Sequence, residues 1–298
     1  MLGRALQEIL PEATYLSRRD ADLTNPDEAL KTFEEIRPSQ VIHLAASVGG
    51  VKANRDHNVE FFTNNLRIDA NVLQAAVTSE TPRLLALLSG CAYAFHEDRA
   101  TFEEDLHEGL PFEGNLGYGY AKRVLDIHCR LISKQYQWDY ETVTPVTMFG
   151  PHDNFDLEEG HVIGALIRKC LIAKETSGAF NIWGDGSAVR QFVYAGDVAR
   201  LLVDMVGSRE SGNVIVAPDE GISIQRLAEK IAKLIHFDGP IQCDDSRPVG
   251  LQRKVMQSKR FSESFPAFRF TPIDESLALT IKWFRESWTR MPTGTTES

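Results

Sequence analysis

The chain has 298 residues with a net charge of -10, 25% charged and 43% hydrophobic, which suits a globular protein holding one large α/β domain, alone or with a smaller lobe. No basic cluster tracks a phosphate backbone, so nucleic acid is not an expected partner, and no apolar run nears the ~20 residues that cross a bilayer, so neither is a membrane. Cys91, Cys129, Cys170 and Cys243 are scattered without a C-x-x-C pair, which argues against a metal site or disulfide framework and suits a reducing, cytoplasmic location.

In chain order, Ala5, Leu6, Ile9 and Leu10 predict an opening helix that stops before Pro11. Alternation over residues 13–16 predicts a strand, followed by Ser17-Arg18-Arg19 and Asp22. Asn25-Pro26 is an N-cap and first-turn pair for a helix over residues 26–36, with Leu30 and Phe33 facing inward. Residues 41–46 read as a buried strand ending in small residues, with His43 packed in the core rather than acting as a ligand. A helix follows over residues 58–76. Residues 84–88 form the next apolar strand, which delivers Ser89-Gly90-Cys91 at its C-terminal edge, where open α/β sheets place ligands.

Val124, Leu125, Ile127, Leu131 and Ile132 recur at helical spacing over residues 118–137, so Tyr118 and Lys122, four positions apart, share one helix face. A phenol is a poor acid at neutral pH, and a lysine one turn away is expected to bring it toward working range. Such a pair can exchange a proton with an alcohol or carbonyl oxygen that Ser89 also holds.

Taken with further runs, this order and spacing resembles the extended short-chain dehydrogenase/reductase family of nucleotide-sugar enzymes, and within it the GDP-L-fucose synthases. The runs are His43-Leu44-Ala45-Ala46-Ser47-Val48-Gly49-Gly50, Thr144-Pro145 through Phe149-Gly150-Pro151-His152-Asp153-Asn154-Phe155, and Trp183-Gly184-x-Gly186. Arg190-Gln191-Phe192 with Asp197, and Arg247-Pro248-x-Gly250 leading to Lys254, complete them. Departures occur at Ala94, where the family has a proline, and at Val146, Thr147, Met148 and Phe149, Thr147 replacing a sugar-facing asparagine.

The resemblance implies a doubly wound parallel-sheet, Rossmann-type domain over residues 1–155. It further implies a smaller substrate-binding lobe over most of 156–290, with segments returning to the first domain, and a disordered tail over 291–298. It implies NADP(H) as cofactor and a GDP-sugar as substrate, converted by 3,5-epimerisation and 4-keto reduction. Another GDP-keto sugar, such as a heptose, and a non-catalytic homologue remain as alternatives.

By the same resemblance, Ser89, Tyr118 and Lys122 hold the reacting oxygen, Cys91 is the base and His161 the acid. Cofactor contacts fall to Gly3, Arg18, Arg19, Asp22, Leu44, Ala45, Ala46, Tyr118, Lys122 and Pro145. The two arginines read equally as 2'-phosphate ligands or as solvated loop charges. Substrate contacts fall to Val48, Gly49, Asn154, Arg168, Trp183, Arg190 and Lys254. Singly, Trp183 also reads as core and Arg190 as surface.

Asn65 matches a buried asparagine that props the tyrosine helix, and the stripe Leu125, Cys129 and Ile132 is expected to face a second subunit in a homodimer. The family pattern opens with a strand and a G-x-x-G-x-x-G turn, of which only Gly3 is recognisable. The expectation is either a fragmentary or mis-started sequence or a lost phosphate turn.

Overall fold

The first half of the chain alternates helix and strand: α1 (Leu2–Ile9), α2 (Pro26–Ile36), β1 (Val41–His43), α3 (Val51–Asp56), α4 (Asn58–Thr78), β2 (Arg83–Leu87), α5 (Leu116–Tyr136), β3 (Asp139–Pro145) and β4 (Thr147–Phe149). The second half adds α6 (Val162–Thr176), β5 (Phe180–Trp183), β6 (Val189–Arg190), β7 (Phe192–Tyr194), α7 (Ala195–Val206), β8 (Asn213–Val216) and β9 (Ile222–Ser223). It closes with α8 (Ile224–Ile235), β10 (Ile241–Asp244), β11 (Arg253–Lys254), α9 (Lys259–Ser264) and α10 (Ile273–Trp288). This computed structural model describes residues 1–298 except 97, 159, 207–211, 247–249 and 289–298, so the expected tail over 291–298 and Arg247-Pro248 lie outside the described residues.

The central sheet runs β1-β2-β3-β8, all parallel. Strands of such a sheet are covered on both faces by helices and are therefore apolar throughout, which is why Leu84, Leu85, Ala86 and Val143 are almost wholly buried. Their C-terminal ends point the same way, and the loops leaving them meet at one edge. α2 begins as expected, with Asn25 accepting from the Asp27 amide and Pro26 in the first turn. Phe33 turns inward, whereas Leu30 is half-buried and Ala29 fills the inner position.

Three expectations are corrected. Residues 13–16 form no strand, because a strand needs a ladder and among the described residues they pair with none, β1 at the sheet edge pairing with β2. β1 itself stops at His43, and Leu44, Ala45 and Ala46 leave the ladder. The stripe Leu125, Cys129 and Ile132 lies in the chain's own core against the sheet, so it is not free to face a second subunit. Val124, Ile127 and Leu131, on a neighbouring face of the helix, are the large apolar residues α5 turns outward.

Apolar burial separates into two clusters. The first joins α1, α2, α4, α5, α7 and the central sheet, with Phe261 of α9. The second joins α6, α8 and α10 around Phe149, Phe180, Ile182 and Phe192. The chain crosses between them more than once: β4 pairs with β7, Thr147 opposite Phe192, and α7 then returns to the first cluster.

Candidate active site

β2 delivers Ser89 at the edge where the parallel strands end, and Ser89 caps a short 3-10 turn, Gly90–Ala92, by accepting the Cys91 amide at 3.2 Å. The tyrosine helix α5 must come very close to this turn. A Cβ at Gly119 would stand 2.5 Å from the Cys91 carbonyl oxygen, and one at Gly117 would stand 2.4 Å from the Asn58 carbonyl oxygen, so only glycine permits the approach. Gly117 also donates its amide to the Asn58 side chain at 2.8 Å, fixing the start of α5 against the start of α4.

This packing brings Tyr118 to the same sheet edge as Ser89 and Cys91, near enough for both to act on its phenol. The expected lowering of the phenol by Lys122 is not what the structure shows. Burial, followed by the electrostatic influence of Cys91 and of the Asp69 carboxylate, pushes Tyr118 above the usual phenol range, and Ser89 only partly opposes this. Lys122, 1% exposed, turns its ammonium onto Asp69 instead, at 3.4 and 3.5 Å from the two carboxylate oxygens. Asp69 also meets His43 Nε2 at 2.8 Å, so His43 is a core residue with a carboxylate partner.

The loop after β1 carries Leu44, Ala45 and Ala46, all half-buried. Asn65 grips Ser47 through both backbone groups, accepting its amide at 3.0 Å and donating to its carbonyl at 2.9 Å. Asn65 thus props this loop and not the tyrosine helix: its amide ties Ser47 to α4, where it also donates to the Phe61 carbonyl at 2.7 Å. Gly49 packs so near Phe61 that a Cβ would come within 2.8 Å of the ring, while Val48 beside it is exposed. Pro145 is buried at the end of β3, opposite Val216.

Asp153 accepts from His161 Nδ1 at 2.7 Å, and this contact with the carboxylate holds the imidazole above its ordinary value against the opposing effect of burial. Among the described residues no hydrogen bond or ion pair joins His161 to Ser89, Cys91 or Tyr118. Beside the second apolar cluster Trp183 lies under the Lys169 ammonium, 4.4 Å from the ring centre. Arg168 reaches the Phe155 carbonyl at 3.4 Å and Asp156 at 3.9 Å, and Asn154 accepts the Asp156 amide at 2.9 Å.

Arg190 and Lys254 are register partners on the β6–β11 ladder. The Lys254 ammonium stands over the Phe95 ring and 3.9 Å from where a Cβ of Gly90 would be, which brings the basic pair to the Gly90–Ala92 turn. Burial lowers Arg190, whose guanidinium donates to the Val189 carbonyl at 2.8 Å.

Three features fit a phosphate-bearing dinucleotide. A Cβ at Gly3, in the first turn of α1, would meet nothing within 4 Å, and the turn has no acidic side chain, so an anion can approach its amides. Arg18 and Arg19 sit exposed in a turn closed by Ser17 and Asp20. Asp22 accepts both the amide and hydroxyl of Thr24, which fixes its carboxylate beside them.

Sequence reasoning missed Asp69 and Asp153. Asp69 had a signal: Asn65, Asp69, Leu73 and Ala76 follow helical spacing on the buried face of α4, and a carboxylate on such a face needs a cationic partner.

The profile of the "NAD dependent epimerase/dehydratase family" matches residues 3–217. The chain is 32% identical to a probable GDP-L-fucose synthase of Drosophila melanogaster over 97% of this chain and 95% of that protein. It is 31% identical to the GDP-L-fucose synthase of Dictyostelium discoideum, covering 97% and 93%. The crystal structure of a GDP-L-fucose synthetase from Naegleria fowleri bound to NADP superposes with a TM-score of 0.89 at 32% identity, covering 97% of this chain and 90% of that one. With the Ser-Tyr-Lys geometry on the same sheet edge, these matches mean that the chain belongs to the NAD dependent epimerase/dehydratase family, among its GDP-L-fucose synthases.

Proposed function

We propose that the protein converts GDP-4-keto-6-deoxy-D-mannose to GDP-L-fucose, by epimerisation at carbons 3 and 5 and reduction of the 4-keto group with NADPH. The observation that carries this reading is the convergence of Ser89, Cys91 and Tyr118 at one sheet edge, beside the Arg190–Lys254 pair. Protons on the carbons flanking a ketone are acidic only while the ketone oxygen is stabilised, so one oxygen-binding pair, Ser89 and Tyr118, serves both half-reactions. Cys91, two residues from Ser89, removes the proton and His161 returns one from the other face. Tyr118, kept protonated by its buried surroundings, then donates to the oxygen during reduction.

NADPH, when bound, supplies the hydride. The first turn of α1 with Gly3 would hold its pyrophosphate, and Arg18 and Arg19 its 2'-phosphate, with Asp22 at the adenine edge. Leu44, Ala45, Ala46 and Pro145 would line its path to Tyr118 and Lys122. Val48, Gly49 and Asn154 would border the sugar, Trp183 and Arg168 the guanosine end, and Arg190 and Lys254 the diphosphate.

The first apolar cluster would then be the cofactor lobe and the second the substrate lobe. We place the protein in the cytoplasm as a homodimer, readings supported by four free cysteines and by the apolar residues that α4 and α5 turn outward. Among the described residues no helix is long and apolar enough to cross a membrane.

Another GDP-keto sugar is a second reading, supported by Thr147 on β4 and by 30% identity over 90% of this chain to a GDP-L-colitose synthase of Yersinia pseudotuberculosis. Substrate-dependent NADPH oxidation, with deuterium uptake at the sugar when NADPH is withheld, tests both halves. Cys91→Ser should lose the uptake by on the order of 100-fold while keeping some direct reduction, and full uptake in that variant would place the base elsewhere.

A further inference from the structure

The His161–Asp153 pair is built more like a catalytic dyad than a surface ion pair. His161 sits at the N-cap of α6 with its imidazole partly open to solvent, whereas the Asp153 side chain is 1% exposed. Asp153 Oδ1 accepts two hydrogen bonds, from the Asn154 amide at 2.8 Å and from His161 Nδ1 at 2.7 Å. A carboxylate oxygen only accepts, so Nδ1 must carry the proton in both states of the ring, and Nε2 is the atom left to exchange one. Oδ2 is buried with no hydrogen-bond partner among the described residues, so the Asn154 amide is the one other donor that shares the Asp153 carboxylate with His161 among the described residues.

The turn that aims Asp153 is itself constrained, with the Asp153 amide on the Gly150 carbonyl and His152 in the left-handed region. Burial and the positive end of α6 both disfavour an imidazolium, and Asp153 outweighs them. Arg4 and Glu8 of α1 act on the neighbouring His152.

We propose that Asp153 is the positioning residue of His161, fixing the Nδ1-protonated ring so that Nε2 is the atom that donates during epimerisation. This rests on the reading of His161 as the acid. In the step, the Nε2–H bond breaks as a C–H bond forms at the enediolate carbon. The enediolate oxygen returns to a carbonyl, and His161 is left neutral, still donating through Nδ1 to Asp153.

Nitrogen NMR of the unaltered protein with labelled histidine should find His161 protonated at Nδ1 when neutral, and a dominant Nε2–H form overturns the proposal. In Asp153→Asn the His161 titration midpoint should fall by about one pH unit. The deuterium-uptake profile, measured with GDP-4-keto-6-deoxy-D-mannose, should lose its neutral-pH rate by about tenfold and recover toward lower pH. The same substitution added to His161→Gln should cost nothing further.

An unchanged midpoint, or a full additional loss in the double variant, overturns the positioning role alone. Wild-type uptake in His161→Gln overturns the acid assignment and the proposal with it. Asp153→Glu, which keeps the charge, should hold the midpoint near its original value, and a midpoint as low as that of Asp153→Asn counts against the proposal.

Discussion

At the residue scale, the site depends on charges placed where water cannot screen them. Tyr118 is held protonated by burial and by Asp69, while Lys122, which in sequence reads as its activator, is neutralised by the same carboxylate. Removing the phenolic oxygen by Tyr118→Phe deletes a proton donor and little volume. Ketone reduction should fall at least ~100-fold, with GDP-sugar affinity within a few-fold by calorimetry, and wild-type reduction would remove Tyr118 from the chemistry. Asp69→Asn should act on two quantities at once. It leaves the Lys122 ammonium buried without a counter-charge, costing about 3 kcal/mol in urea unfolding. It also removes an influence that raises the phenol, so the pH profile of reduction should move to lower pH. A profile that stays in place would show that Asp69 does not act on Tyr118.

At the scale of elements, the spacing of Tyr118 and Lys122 was readable because a helix repeats every 3.6 residues whatever surrounds it. The alternation at residues 13–16 was equally visible, yet it misled, since an alternating pattern becomes a strand only where a neighbour supplies a ladder. Asp69 was hidden for a related reason: its partners come from β1 and α5, 26 positions before it and 53 after. The close approach of α5 to the Gly90–Ala92 turn was also unreadable, although the glycines that allow it stand in the Leu116-Gly117-Tyr118-Gly119 run. Gly119→Ala should therefore be more harmful than its size suggests. The added methyl would meet the Cys91 carbonyl, and relief requires α5 and the turn to separate, which pulls Tyr118 from Ser89. We expect about 1–3 kcal/mol of lost stability and a drop in both half-reactions. A fully active Gly119→Ala enzyme would mean that the packing yields without moving the site.

At the scale of the whole molecule, α5 carries two apolar stripes on neighbouring faces, and sequence periodicity alone does not say which belongs to the sheet. The structure resolves this by burying Leu125, Cys129 and Ile132 and leaving Val124, Ile127 and Leu131 outside, Leu131 being 58% exposed. α4 packs beside α5 and turns Val59 and Phe62 outward, so the exposed residues of the two helices lie on neighbouring elements rather than scattered. Apolar surface of this kind on a long helix is stabilised by covering it, and a two-fold axis lets one patch cover its own copy. A charge placed in such a contact would be desolvated against a like charge from the other subunit, because each variant residue occurs twice across the axis. Leu131→Glu should therefore convert a dimer to a monomer by light scattering at micromolar concentration. Leu125→Glu should instead unfold the chain, since it places a charge in the core. A wild-type protein that is already monomeric, or a Leu131→Glu variant that stays dimeric, would show that this face is not the one that pairs.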